Sequence, residues 1–247
     1  MARELKIFYA AIIFFTRIPA PTSQHIPSEL FLKCSRYLPL IGIIVGAFMA
    51  FIYLISSIIF PKSIAIILSI TASIMLTGAF HEDGIADVFD GFGGGFTKEK
   101  ILSIMKDSRL GTFGAISLFL IILLKYEALL EIKNSIAYIM ICGNTISRSA
   151  SLIIMQIGSY VRFDETSKAK PVIYKMGGIE LLFSVIITIL PLFFLKIYYF
   201  FSIIPIFLVS LMMYKYFFKK IGGYTGDCLG SIQQVTEVIF YLFAAVK

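Results

Sequence analysis

The sequence has little of what builds a soluble fold or a preformed metal centre. Only 15% of its 247 residues are charged, against about 25% in an ordinary soluble domain. There are two histidines, His25 and His81, too few for a histidine metal site, and His81 reads as an interfacial residue. The three cysteines, Cys34, Cys142 and Cys228, lie far apart. Their spacing fits neither a zinc motif nor a disulfide framework, so they read as apolar filler. The longest polar stretch, 81–110, is too short to be a separate soluble domain. No internal repeat is evident. A cleavable signal peptide is not expected either: the first apolar run lacks a small-residue cleavage site and ends in Arg17-Ile18-Pro19-Ala20-Pro21.

What is abundant is apolar surface. Hydrophobic residues make up 58% of the chain, and the mean hydropathy is +0.90. One globular core cannot hide that much, so the excess must face lipid. A net charge of +7 and a pI near 9.2 would suit nucleic acid. The basic residues, however, sit at the ends of apolar runs, where topology signals are found. The bilayer is therefore the expected partner and nucleic acid is not.

A spanning helix needs about 20 mainly apolar residues. Candidates are 37–60, 62–80, 111–131, 135–158, 178–196, 198–214 and 229–246, with a tight hairpin between the fifth and sixth. The run 5–18 is short and flanked by charge, as in an interfacial or re-entrant helix. The expected fold is all-α: one integral-membrane domain over 1–247, a polytopic transmembrane helical bundle of six to seven spans with a short amino-terminal interfacial helix. Self-association is compatible with this pattern and not required by it. On one face of the bilayer Arg3, Lys6 and Arg17 join the loops around 20–36, 81–110, 159–177 and 215–228, which together hold most of the lysines and arginines. The other face has only Lys62, Lys133, Lys196 and Lys247, while Lys125 and Arg148 fall inside spans. The positive-inside rule places the basic, acid-rich loops in the cytoplasm, in a cytoplasmic (inner) membrane, with the carboxy terminus outside.

Chemistry-bearing residues concentrate between Gly78 and Gly114. Glu82 precedes Asp83, Asp87 and Asp90, which are spaced i, i+4, i+7 and share one face of a helix. Like charges so placed repel, and no lysine interleaves, so a cation should occupy the face. Oxygen ligands suit Mg²⁺, Mn²⁺ or Ca²⁺; a solvated acidic helix end would carry the same residues. Gly91-Phe92-Gly93-Gly94-Gly95 follows, and Gly93 and Gly94 could let backbone amides approach an anion, or act as a hinge. Lys106-Asp107-Ser108-Arg109 then supplies two cations and a hydroxyl. Carboxylates for a metal, followed by donors for phosphate, are the parts of a phosphoryl-transfer site. Arg148 lies within a span among Asn144, Thr145, Ser147, Ser149 and Ser151. A charge there marks function by default, or else a structural pair. Near the carboxy terminus, Gly222-Gly223-Tyr224-Thr225-Gly226-Asp227-Cys228-Leu229-Gly230 puts an acid in a glycine-rich turn, where Asp227 could also cap the next helix. Gln233, Gln234 and Glu237 follow it.

Taken together these motifs resemble the cobalamin synthase family, the adenosylcobinamide-GDP ribazoletransferases. The resemblance rests on His81-Glu82-Asp83-Gly84-Ile85-Ala86-Asp87, Asp90-Gly91-Phe92-Gly93-Gly94-Gly95 and Met105-Lys106-Asp107-Ser108-Arg109-Leu110-Gly111. Phe15-Thr16-Arg17-Ile18-Pro19 and Gly223 to Gly230, with Gln233-Gln234 and Glu237, agree in the same order, while 159–221 matches weakly. The resemblance implies a transferase of cobalamin biosynthesis that uses Mg²⁺. It would join adenosylcobinamide-GDP to α-ribazole, or α-ribazole 5′-phosphate, and release GMP. In that reading Glu82, Asp83, Asp87 and Asp90 hold one or two Mg²⁺, with Asp83 and Asp87 foremost. Lys106, Ser108, Arg109 and Arg148 meet the phosphates, and Asp107 or Asp227 orients or deprotonates the hydroxyl. Two other classes share some of these features. CDP-alcohol phosphotransferases also use acid clusters in membranes, but with a longer gap between acidic pairs. A secondary transporter would also carry intramembrane charge, but these acids cluster at one membrane edge and no paired broken-helix repeat is seen.

Overall fold

In lipid every backbone amide must be paired inside the protein, which leaves helices or closed barrels. The computed structural model, described for residues 2–20, 26–161 and 174–246, is helical throughout. Among the described residues the only β-type pairing is an isolated bridge between Tyr160 and Tyr224. His25 and the basic residues Arg162, Lys168 and Lys170 lie outside the described residues. The helices are α1 (Ala2–Phe15), α2 (Ser28–Leu32), α3 (Leu38–Ile59), α4 (Lys62–Thr77), α5 (Phe80–Gly94) and α6 (Lys98–Ile104). They continue with α7 (Thr112–Glu131), α8 (Ile136–Ile157), α9 (Gly178–Ile189), α10 (Ile203–Ile221) and α11 (Gly226–Ala245).

Five stretches are long and apolar enough to cross a membrane: Glu29–Ile59, α7, α8, Ile197–Ile221 and α11. A sixth results if α4 and α5 are one broken span. The run expected at 178–196 is shorter than that. Its α-helix ends at Ile189, and a 3₁₀ turn, Leu190–Phe194, completes it. Pro191 accounts for the break, because it has no amide hydrogen and its ring clashes with the preceding turn.

Small residues set the helix spacing. Gly42 and Gly46, one turn apart on α3, face α8 so closely that a Cβ on either would lie 2.6 Å from α8 backbone. Such small-xxx-small contacts let membrane helices approach without a hydrophobic driving force. The outer faces of α7 and α10 carry exposed Phe113, Phe119, Phe207 and Met212, as lipid contact requires. In contrast α8 and α11 are largely enclosed, and α8 buries Asn144, Thr145, Ser147, Arg148, Ser149 and Ser151. Cys34, Cys142 and Cys228 are buried and in no disulfide, consistent with apolar filling.

The feature that positions the site is a corner. α4 and α5 meet at 88°, through two consecutive left-handed residues, Gly78 (φ 67°) and Ala79 (φ 58°). Glycine takes that conformation freely, whereas an L-residue such as Ala79 loses about 1–2 kcal/mol. The Phe15–Pro19 segment packs into this corner. The Arg17 amide donates to the Leu76 carbonyl at 2.7 Å, and its guanidinium occupies the space a side chain on Gly78 would need. The acidic stretch is thus not a surface loop but a helix folded back against α7 and α11.

Candidate active site

α5 begins with Glu82 and Asp83 in its first turn, where carboxylates complement the helix dipole. The four acids then take different environments. Glu82 is buried, Asp83 is exposed, and Asp87 and Asp90 are half-buried. Asp90 accepts the Gly111 amide at 2.7 Å and the Gly114 amide at 2.8 Å. It therefore satisfies orphan donors at the start of α7 and ties the acid block to the segment that follows Arg109.

A second junction joins α5 to α11. Gly84 faces Gly230, and a Cβ on Gly84 would lie 2.9 Å from the Asp227 carbonyl oxygen and 3.1 Å from its Cα. Only glycines allow this approach, and it brings Asp227 to the helix of Asp83 and Asp87. Asp227 is not the cap of α11: the Thr225 hydroxyl accepts the Cys228 amide at 3.3 Å and holds that place. The Ser151 hydroxyl donates to the Leu229 carbonyl at 2.8 Å, binding α8 to the same junction. Phe15, Phe80, His81, Ser151, Gly226 and Gly230 line one crevice, so segments far apart in sequence meet there. His81 is buried rather than interfacial, edge-on to Phe80.

The glycine run differs from the anion nest its composition suggests. Gly91 to Gly94 continue α5; among the described residues, positive φ at glycine occurs at Gly78 and Gly222. Here glycine makes room for neighbours. A Cβ on Gly91 would meet the Met105 side chain at 2.5 Å, and one on Gly93 the Phe113 ring at 2.7 Å. Gly93 and Gly94 are exposed, as are Lys106, Ser108 and Arg109. Arg109 is forked onto Asp107, its Nε at 3.0 Å from Oδ1 and an Nη at 2.5 Å from Oδ2. That hydrogen bond pulls the Asp107 carboxyl down from its usual 3.8 to about 2.

Arg148 lies deeper. Its Nη1 donates to the Asn144 carbonyl at 3.1 Å and to Asn144 Oδ1 at 2.8 Å, and its Nε is buried without a partner. Glu237 and Glu82 lie near enough for their charges to act on it. The interior also holds Lys125, to which the sequence alone assigned no role. Lys125 Nζ is 3.1 Å from Glu237 Oε2 and 3.1 Å from Gln234 Oε1, and the Gln234 amide donates to Glu82 Oε1 at 2.9 Å. The signal was present, since Lys125 is a charge within an apolar run. Among the described residues no group of three or more histidine, cysteine or acidic side chains is gathered to hold a metal ion.

Residues 7–245 match the family of cobalamin-5-phosphate synthase. The chain belongs to that family. A protein of Shewanella frigidimarina (strain NCIMB 400), named adenosylcobinamide-GDP ribazoletransferase, is 43% identical over 97% of this chain and 94% of its own length. Proteins of the same name from Shewanella amazonensis (strain ATCC BAA-1098 / SB2B) and Shewanella baltica (strain OS185) are each 40% identical, over 97% and 99% of this chain and 95% of their own lengths. No solved structure matches. The family is one of transferases, and the segments that meet at the α4–α5 corner and the α5–α11 crossing are those on which the resemblance rests.

Proposed function

We propose that this chain is a membrane-embedded transferase that joins adenosylcobinamide-GDP to α-ribazole, or to its 5′-phosphate, and releases GMP. The observation that carries the reading is the Gly84–Gly230 crossing, which sets Asp227 against the helix bearing Asp83 and Asp87. In the reaction the 3′-hydroxyl oxygen of the acceptor ribose bonds to the cobinamide-proximal phosphorus. The bond from that phosphorus to the bridging oxygen breaks, and GMP leaves with the electron pair. Asp227, which the crossing brings to the acid helix, takes the hydroxyl proton. Arg109 and Lys106, on the exposed segment beside the acid helix, meet the pyrophosphate, while Arg148 holds positive charge behind it.

The acid helix fits a magnesium ion shared with substrate better than a ready-made cage. Mg²⁺ commonly takes one or two carboxylates and fills its remaining positions with water and substrate phosphates. Asp83 and Asp87 supply two carboxylates one turn apart, whereas Glu82 turns inward to Gln234 and is not gathered with them. Asp90 we assign instead to holding Gly111 and Gly114. When bound, Mg²⁺ would neutralise charge on the pyrophosphate and the leaving phosphate. In this reading the protein sits in the cytoplasmic membrane with these segments facing the cytoplasm, as the distribution of basic residues favours. Purified protein given adenosylcobinamide-GDP and α-ribazole should release GMP, and should release no CMP from a CDP-activated lipid. CMP release, or acceptor-independent loss of donor, would contradict the assignment.

A further inference from the structure

Between α7, α8 and α11 lies a buried polar network that the reaction above does not use. An ammonium within an apolar span is costly to place, yet Lys125 is buried there. Its Nζ meets two acceptors, both on α11: Gln234 Oε1 and Glu237 Oε2, each at 3.1 Å. Glu237 is fixed from every side. Gln233 Nε2 donates to its Oε2 at 2.8 Å, and the Tyr241 hydroxyl to its Oε1 at 2.9 Å. Asn144 Nδ2 reaches Oε1 at 3.4 Å.

The lysine has a chemical consequence for Gln234. An ammonium donates and cannot accept, so only the oxygen of the Gln234 amide can face Lys125. The amide nitrogen must then point the other way, to Glu82 Oε1 at 2.9 Å and Gln233 Oε1 at 2.9 Å. Reversed, the amide would set oxygen against the Glu82 carboxylate and nitrogen against the ammonium. One oxygen of Glu82 is thereby held, and the other, Oε2, stays buried and unpartnered.

We infer that Lys125 and Glu237 are a positioning pair: Lys125 fixes the sense of the Gln234 amide, and Gln234 holds Glu82 so that Oε2 is presented to the reaction. This rests on the transferase reading above. Neither residue of the pair touches substrate.

A structural staple and a positioning pair respond differently when both charges are removed. Replacing both members of a buried pair leaves no uncompensated charge and commonly preserves stability, whereas removing one does not. The test is therefore Lys125→Met combined with Glu237→Gln, beside Gln234→Met and the triple variant, each assayed for GMP release and for melting temperature in detergent. We expect the double variant to melt close to wild type, with kcat down about 10- to 100-fold, as for other groups that orient a reacting ligand, and KM changed less than about threefold. Gln234→Met should lose a similar amount. The triple variant should lose no more than either, because the groups act along one route. Full kcat in a stable double variant, or losses that multiply in the triple variant, would overturn the inference. Wild-type protein that releases no GMP would instead overturn the transferase reading.

Discussion

The acids of α5 show how residues of one type take separate work. Asp90 spends both oxygens on the amides of Gly111 and Gly114, Glu82 turns inward to Gln234, and Asp83 faces out. Spacing alone puts Asp83, Asp87 and Asp90 on one face; it does not reveal that one of them caps another helix, since the Gly111 amide it accepts is 21 residues on. Asp107 carries a pH prediction. Its folded pKa is depressed to about 2 by the Arg109 hydrogen bond, so the pair is complete above the ordinary value of 3.8 and is lost only as pH falls through 2. Any decline in turnover between pH 7 and 4 then belongs to another group. Carboxyl NMR of specifically labelled protein should show Asp107 titrating near 2, moving toward 3.8 in Arg109→Ala. A wild-type titration near 4 would contradict the pairing.

At the scale of elements, the corner and the crossing govern the site. The sequence made most helices legible, because twenty-residue apolar runs have one solution in lipid. The expected runs 37–60, 111–131 and 135–158 correspond to α3, α7 and α8. It did not reveal the 88° turn, because that depends on Ala79 adopting positive φ, which no propensity signals. Nor did it show that Gly84 and Gly230 touch, a contact between positions far apart in the chain. That contact gives a second prediction. Gly84→Ala places a methyl about 2.9 Å from the Asp227 carbonyl oxygen and 3.1 Å from its Cα, both backbone atoms, so α5 and α11 must separate. Melting temperature should fall by a few degrees, and turnover by about tenfold or more, as a site held to within half an ångström requires. Unchanged turnover in Gly84→Ala would mean that the crossing does not set the reacting geometry.

For the whole molecule, the polar network and the lipid-facing aromatic surface divide the bundle into an enclosed half and an exposed half. Removing one member of the buried Lys125–Glu237 pair leaves an uncompensated charge, at a cost of about 3–5 kcal/mol, so either single variant should purify poorly where the paired replacement does not. The two bilayer faces are distinguished by basic residues: Lys98, Lys100 and Lys106 lie beside the acid helix, whereas Lys133 and Lys196 mark the opposite end. Single cysteines at positions 98 and 133 should accordingly differ in intact cells, the first protected from an impermeant thiol reagent and the second labelled. Labelling at 98 would reverse the orientation. In the proposed reaction the acceptor attacks the cobinamide-proximal phosphorus beside α5. Donor carrying a phosphorus label at that position alone, turned over with α-ribazole, tests it most directly. All of the label should appear in the corrinoid product and none in the released GMP. Label in GMP, in GDP or in inorganic phosphate would contradict it.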